Sequence, residues 1–261
     1  MINISAIPAL DSNYIWVIED DKYPDQCYLV DPGEAAPSLS YLAQYQLRLM
    51  GILVTHRHHD HIGGIDEILH SHPCPVIGPA SEQIPQVTQT VTEASRFKLF
   101  DSDVEVLEVP GHTPEHIAFV LSGNHPPVCF SGDALFAGGC GNRMLSAEVM
   151  FASIKKFKNL SPDTLLYCGH EYTFNNLRFA LTIEPSNNAL VERYQRVKVI
   201  HEEGGNSLPS CMHEEFETNP FLRTEYIPLG ENMADVASGL GKPRNESQIF
   251  AYLRETKDKF R

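Results

Sequence analysis

The sequence predicts an α/β layered domain followed by a small helical unit, on three observations. Short β-rich runs alternate with longer amphipathic segments through the first two-thirds of the chain. Beyond about residue 172 helical periodicity takes over. The densest polar cluster, "THRHHDHIGG" at 55–64, directly follows a strand-like run, as functional residues in layered α/β folds do.

The expected strands are "YIWVI" (14–18), "CYLVD" (27–31), "GILVT" (51–55), "VEVLEV" (104–109), "IAFVL" (117–121), "VCFSGD" (128–133) and "LLYCGH" (165–170), short and rich in β-branched and aromatic residues. The expected helices among them are "SLSYLAQYQL" (38–47), "GGIDEILHSH" (63–72) and "AEVMFASIKKFKNL" (147–160). This alternation calls for sheets covered by helices. Behind a boundary near 172–175, "NNALVERYQRVKVIHEEGG" (187–205) reads as an amphipathic helix with a Gly-Gly stop. "NESQIFAYLRETKDKF" (245–260) opens with Asn245 and Gln248 in capping-box spacing, and Ile249, Phe250 and Leu253 give it an apolar stripe.

A chain of 261 residues can bury a sizeable core, and 42% hydrophobic with 21% charged residues is ordinary for a globular protein. No apolar run approaches the ~20 residues of a membrane span. The opening stretch lacks the basic and small-residue features of a signal peptide, and the six cysteines lie far apart with no CxxC pair. Reduced cysteines in a cytoplasmic protein are therefore expected. A net charge of −14 without a basic stripe argues against a nucleic-acid partner.

Three further polar residues occur where strand-like runs end: His112 in "LEVPGHT", Asp133 in "VCFSGD" and His170 in "LLYCGH". With His56, His58, Asp60 and His61 they make a seven-ligand set. Imidazoles and carboxylates in this mixture suit zinc, iron or manganese. Seven ligands exceed one four-coordinate ion and fit two ions with a shared carboxylate. In extended chain His56 and His58 point to one side and reach one ion, while Asp60 and His61 lie beyond, where the chain turns, and reach another. Two ions about 3.5–4 Å apart lower the pKa of a shared water toward neutrality, which is hydrolase chemistry on a carbonyl or phosphoryl group. His59, His70, His72, His116, His125, His201 and His213 are left as structural, with His116 the one candidate to support a ligand. Asp31 in "LVDPG" reads as a turn former.

"THRHHDH" matches the T-H-x-H-x-D-H signature of the metallo-β-lactamase superfamily, and "PGHT", "SGDALF" and "CGHEYT" extend the likeness. The closer resemblance is to the hydroxyacylglutathione hydrolase (glyoxalase II) family, through "SNYIWVI", "GDALFAGGCG" (132–141), "CGHEYTFNNLRFA" (168–180), "NPFLR" (219–223) and "LRETKDKF". The resemblance implies an αββα sandwich over 1–172 and a small all-helical, glutathione-binding domain over 173–261. It implies one metal on His56, His58 and His112, a second on Asp60, His61 and His170, and Asp133 as the bridge, with Asp60 and Asp133 the catalytic carboxylates and zinc the first choice of ion. The implied reaction is hydrolysis of S-lactoylglutathione to lactate and glutathione by a hydroxide between the metals, the second step of methylglyoxal detoxification. Tyr172, Arg254 and Lys257 would bind glutathione, and a monomer is expected.

The chain departs from the family at "GCGNRMLSAEVM", where Asn142 stands in place of the usual basic residue and no aromatic follows. Arg143, one position later, is the candidate replacement contact. Three other readings compete. A nuclease of the same superfamily needs a basic groove. A mononuclear iron persulfide dioxygenase would use only His56, His112 and Asp133 and should lack this C-terminal tail. A non-catalytic metal-stabilised module would not need all seven ligands.

Overall fold

The computed structural model describes residues 1–123, 126–227 and 245–260. His125 and the 228–244 and 261 parts of the expected helical domain lie outside them. Two six-stranded sheets form the body. The first comprises β1 (Ile2–Ala9), β2 (Asn13–Asp20), β3 (Tyr23–Val30), β4 (Arg48–Leu53), β5 (Val76–Gly78) and β6 (Gln89–Thr90), paired in chain order. β1 to β3 form an antiparallel meander, and β3 to β6 run parallel. The second comprises β7 (Arg96–Leu99), β8 (Ser102–Glu108), β9 (Ile117–Ser122) and β10 (Val128–Gly132), then β13 (Leu165–Cys168) and β14 (Ser210–Cys211). Between β10 and β13 the chain makes a small hairpin, β11 (Leu135–Phe136) and β12 (Gly139–Cys140).

Side-chain alternation produces the layers. Along β9, Ile117, Phe119 and Leu121 enter the core between the sheets, where Trp16, Ile18 and Leu53 meet Val106 and Phe130. Ala118 and Val120, one step out of phase, face a second apolar layer. There α4 (Ala147–Phe157) lays Met150, Ile154 and Phe157, and α8 (Glu246–Lys259) lays Ile249, Phe250 and Leu253. On the far side of the first sheet, α1 (Ala35–Tyr45) and α3 (Ile65–Ser71) cover it with Leu42, Ile65 and Ile68. Helices on both outer faces of two stacked sheets make the expected αββα sandwich.

Each expected strand and helix forms, with shifted ends. The helix expected at 63–72 is α3, and a single unexpected turn, α2 (His59–Ile62), precedes it inside the histidine motif. Asn187 and Asn245 cap α6 (Asn188–Glu202) and α8 by accepting from Leu190 N and Gln248 N. The remainder of the C-terminal part is α5 (Thr173–Ile183) and α7 (Met212–Thr218). One correction concerns its all-helical reading: Ser210 and Cys211 add β14 antiparallel to β13 and so complete the second sheet's edge. Two residues carry no periodicity, so no pattern announces such a strand. β1 is also new; as an edge strand it has mixed burial and weak alternation.

Candidate metal centre and active site

β4 ends at Leu53, and Thr55 to His61 descend from its C-terminal end as an extended stretch that tightens into α2. The turn packs so closely on the β3–α1 loop that a Cβ on Gly33 would sit 1.8 Å from Asp60 O. A side chain at 33 would therefore push the motif out of place.

All seven expected ligands converge. His58 Nδ1 lies 3.2 Å from His56 Nε2 and 2.9 Å from His112 Nε2. Asp60 Oδ2 lies 3.5 Å from His61 Nε2 and 3.3 Å from His170 Nε2. Asp133 stands between the groups, with Oδ2 3.5 Å from His112 Nε2 and 3.3 Å from His170 Nε2, and Oδ1 3.3 Å from His61 Nε2.

The outer ring nitrogens show why this set suits cations. His112 Nδ1 donates to Asn142 O at 3.0 Å, because a carbonyl only accepts. His61 Nδ1 faces Asp31 Oδ2 at 3.1 Å, and His56 Nδ1 faces Thr55 Oγ1 at 3.0 Å. Thr55 Oγ1 in turn donates to Asp31 Oδ2 at 2.6 Å. With those protons directed outward, His56 Nε2 and His112 Nε2 both turn lone pairs onto His58 Nδ1 across about 3 Å, and a single proton there can serve only one of them, whereas a cation serves all three. His61 Nε2 and Asp133 Oδ1 are buried and find no hydrogen-bond partner among the described residues. These orphaned inward atoms and the N/O donor chemistry fit two divalent ions.

The protonation states differ across the site: burial would lower His61 and His170, but Asp133, with Asp31 beside His61 and Asp60 beside His170, outweighs it and raises both. Burial, then the neighbouring His61 and His116, hold His56 well below the usual histidine range, and burial and His112 lower His58. Asp60 is held well below the carboxylate range by its hydrogen bond with His170. Burial alone would raise Asp133, but His61 and His170 outweigh it and keep it ionised.

Two residues outside the expected set support it. Asp31, read from the sequence as a turn former, does sit in a left-handed conformation with φ 51°. Its carboxylate also serves His61 directly and His56 through Thr55, so one buried anion steadies ligands of both groups. No sequence signal separates it from other "DPG" turns. His116 is fully buried, accepts from Asp133 N through Nε2 at 3.1 Å and stacks on His56 at 4.6 Å. Burial and then His112 push it down to about 3, so it remains neutral. Ser12, just before β2, and Asn13, its first residue, add polar contacts: Ser12 Oγ meets His170 Nδ1 at 3.0 Å, and Asn13 Nδ2 donates to Asp60 Oδ2 at 3.0 Å.

His58, Asp60, His112, Asp133 and His170 floor a cleft of about 480 Å³, walled by Phe136, Cys140, Gly141, Asn142, Tyr172, Asn175 and Asn176 and reaching Arg254 and Lys257, while His56 and His61 are buried beneath it. Tyr172 stacks parallel on His170 at 4.7 Å. Lys257 Nζ lies over Phe179 and Phe260, 5.4 Å from each ring, and burial followed by Arg254 brings its pKa down to about 8. Arg254 is only 4% exposed, and its Nη1 donates to Cys140 O and Gly141 O. Arg143 does not line this cleft: it is exposed, with Nη1 3.5 Å from Leu145 O, and Asn142 occupies the wall instead. A second cleft of about 370 Å³, near Pro79 and Pro110, holds none of the seven ligands, so the chemistry lies in the first.

Residues 9–170 match the metallo-beta-lactamase superfamily, and residues 171–260 match the hydroxyacylglutathione hydrolase C-terminus. The hydroxyacylglutathione hydrolase of Alkalilimnicola ehrlichii is 44% identical to this chain over 99% of both proteins. That of Pseudomonas savastanoi is 42% identical over the full length of both. The chain belongs to the hydroxyacylglutathione hydrolase family. Its fold also resembles a solved metallo-beta-lactamase from Staphylococcus aureus, with a TM-score of 0.64 at 19% identity over 98% of this chain and 72% of that one. One helix, α8, brings both Arg254 and Lys257 to the cleft that five of the expected ligands line.

Proposed function

We propose that the chain hydrolyses the thioester of S-(2-hydroxyacyl)glutathione, S-lactoylglutathione in the first instance, to the hydroxy acid and glutathione. The carrying observation is the convergence of all seven residues, with orphaned inward atoms, at and just beneath the floor of one cleft that reaches Lys257, five of them lining it. His56, His58 and His112 would hold one divalent ion, Asp60, His61 and His170 the other, and Asp133 would bridge them. The mixed imidazole and carboxylate set favours zinc, with iron and manganese the competitors. When bound, such a pair supplies an acidified water and polarises a carbonyl.

The chain's own residues do the rest. Asp31, Thr55, Ser12 and Asn13 fix the ligands' orientation from outside. Tyr172 and Lys257 line the part of the cleft where the peptide would lie. Burial raises both Tyr172 and Cys140, the latter to about 11, which makes them poor proton donors and leaves Lys257, at about 8, as the readier one at the peptide end of the cleft. A thioester needs none, because a thiol of pKa about 8.5 leaves as thiolate. A phosphodiester or amide would require more help, and this favours the thioester. The complete second ligand group also favours this reaction over mononuclear dioxygenase chemistry.

In this proposal residues 1–172 form the catalytic domain and 173–261 the substrate-binding one, in a cytoplasmic monomer with no nucleic-acid or membrane partner. A net charge of −14 is consistent with that, as is the lack, among the described residues, of a helix long and apolar enough to cross a membrane. The test is hydrolysis of S-lactoylglutathione by purified chain alongside metal content by mass spectrometry. Turnover with about two equivalents of metal is expected; metal-replete protein without thioesterase activity would sink the reading.

A further inference from the structure

One residue of the histidine motif has no part in holding metal. Arg57 stands between His56 and His58. His58 is extended, with φ −62° and ψ 143°, so side chains along this stretch alternate in direction. His56 and His58 turn toward His112. Arg57 turns the other way and meets Glu115, from the loop between β8 and β9 that also supplies His112. Glu115 takes it at two points. Its Oε1 accepts the main-chain N of Arg57 at 3.1 Å, and its Oε2 accepts Nη1 at 3.1 Å. The two side chains are only 18% and 10% exposed, so water screens this pair less than it does an ordinary surface ion pair.

The place of this contact follows from the strands. Ile117 N, at the start of β9, donates to Thr55 O at 3.0 Å. Moving from 55 to 57 and from 117 to 115 is one step along an antiparallel ladder, whose next rung would join main chain to main chain. The Glu115 carboxylate occupies that rung. It reaches further than a main-chain carbonyl, so the two segments stay tied while they part. His112 crosses the gap, its Nε2 2.9 Å from His58 Nδ1. The guanidinium also touches a third segment, with Nη2 3.8 Å from Met144 Sδ. Met144 N and Leu145 N in turn donate to Gly111 O at 2.8 and 3.1 Å, beside His112.

We propose that Arg57 and Glu115 are a positioning pair for one metal group alone, that of His56, His58 and His112. The two segments they join supply all three of its imidazoles. Asp60, His61 and His170 come from α2 and the end of β13, and Asn13, Asp31 and Ser12 steady them instead. The pair sets the spacing of His58 and His112 in advance. Without it, ordering the two segments falls to the ion and lowers its affinity. The inference rests on the two-metal reading of the site and is independent of which substrate is hydrolysed.

The experiment withdraws zinc from the full, zinc-loaded chain with a chelator while nitrogen-15 NMR follows each histidine side chain. In Glu115→Ala the signals of His56, His58 and His112 should revert at about tenfold lower chelator concentration than in wild type, with those of His61 and His170 unmoved. Arg57→Ala keeps the main-chain bond at 57 and should shift the same three signals by less. The double change should be no worse than Glu115→Ala alone, because both remove one contact. Equal shifts in both groups would make the pair a general stabiliser, and no shift would make it an ion pair without consequence; either result overturns the proposal. Should Glu115→Ala not fold, Glu115→Gln, which keeps an acceptor for the amide at 57 but loses the charge, is judged by the same signals. A wild type that holds fewer than two zinc ions takes the two-metal reading and this proposal down together. One that holds two and shows the selective shift, yet hydrolyses no thioester, fails the hydrolase reading and leaves the positioning pair standing.

Discussion

The two ends of the cleft are built by opposite means. The metal end is assembled from residues at strand ends, most of them within one seven-residue motif, each side chain pointing inward. The wall end is assembled from backbone, shaped from behind by Asn176, Glu215, Asn219 and Arg254, which are spread over almost 80 positions from 176 to 254. The difference teaches that a cleft can take its chemistry from side chains and its shape from main chain. Arg254 and Lys257 are three residues apart on one helix; the guanidinium donates to two wall carbonyls, while the neighbouring ammonium is half-buried against aromatic rings.

The largest effect should come from the metal end. Asp133→Ala removes the carboxylate between both groups, so kcat/KM should fall by more than the roughly 100-fold typical of changes behind the ligands. Bound metal should fall with it, read by mass spectrometry. Full metal occupancy and activity in this variant would dissolve the dinuclear picture.

One layer out, Asp31→Ala should weaken metal affinity by about 10- to 100-fold, measured by competition with a chelator. The loss should touch both ions, since Asp31 serves His61 directly and His56 through Thr55. Loss of one ion alone would show that the two groups are steadied separately.

Lys257 sharpens the contrast with Arg254. Its depressed pKa of about 8 means the ammonium is charged below that value and lost above it. KM for an anionic glutathione thioester should therefore rise between about pH 7 and pH 9, where an ordinary lysine near 10.4 would leave it almost flat. In Lys257→Ala the KM should be about tenfold higher and flat over that range. A wild-type KM that is flat with pH would remove Lys257 from the binding site.

The smallest effect belongs to Arg143. Exposed and outside the cleft, it should change KM by less than about twofold on replacement with alanine. A larger rise would mean that the 142–145 loop folds over bound substrate.

Much of this molecule was legible in one dimension. Strand positions followed from short apolar runs, because alternate residues must face two different apolar layers, as Ile117 to Leu121 do. The seven ligands were legible because metal-binding side chains are chemically conspicuous and sit at strand ends. Asp31 was not legible: its second duty depends on His61 and Thr55 arriving from the next strand, and "DPG" alone is a turn. Nor was the idle position of Arg143, which depends on a loop path that no periodicity governs.

By itself the sequence determined the layered α/β class, the seven residues that converge and the family, because these depend on local periodicity and on residue types that few other roles require. Tertiary structure alone decided what the C-terminal polar residues do. Asn219, Glu215 and Arg254 could equally have been solvated, and only the approach of two helices to one hairpin turns them onto its backbone. Carbonyls and amides are common to every residue and leave no mark in the sequence, so a site wall made of main chain becomes visible only once its partners have been brought to it.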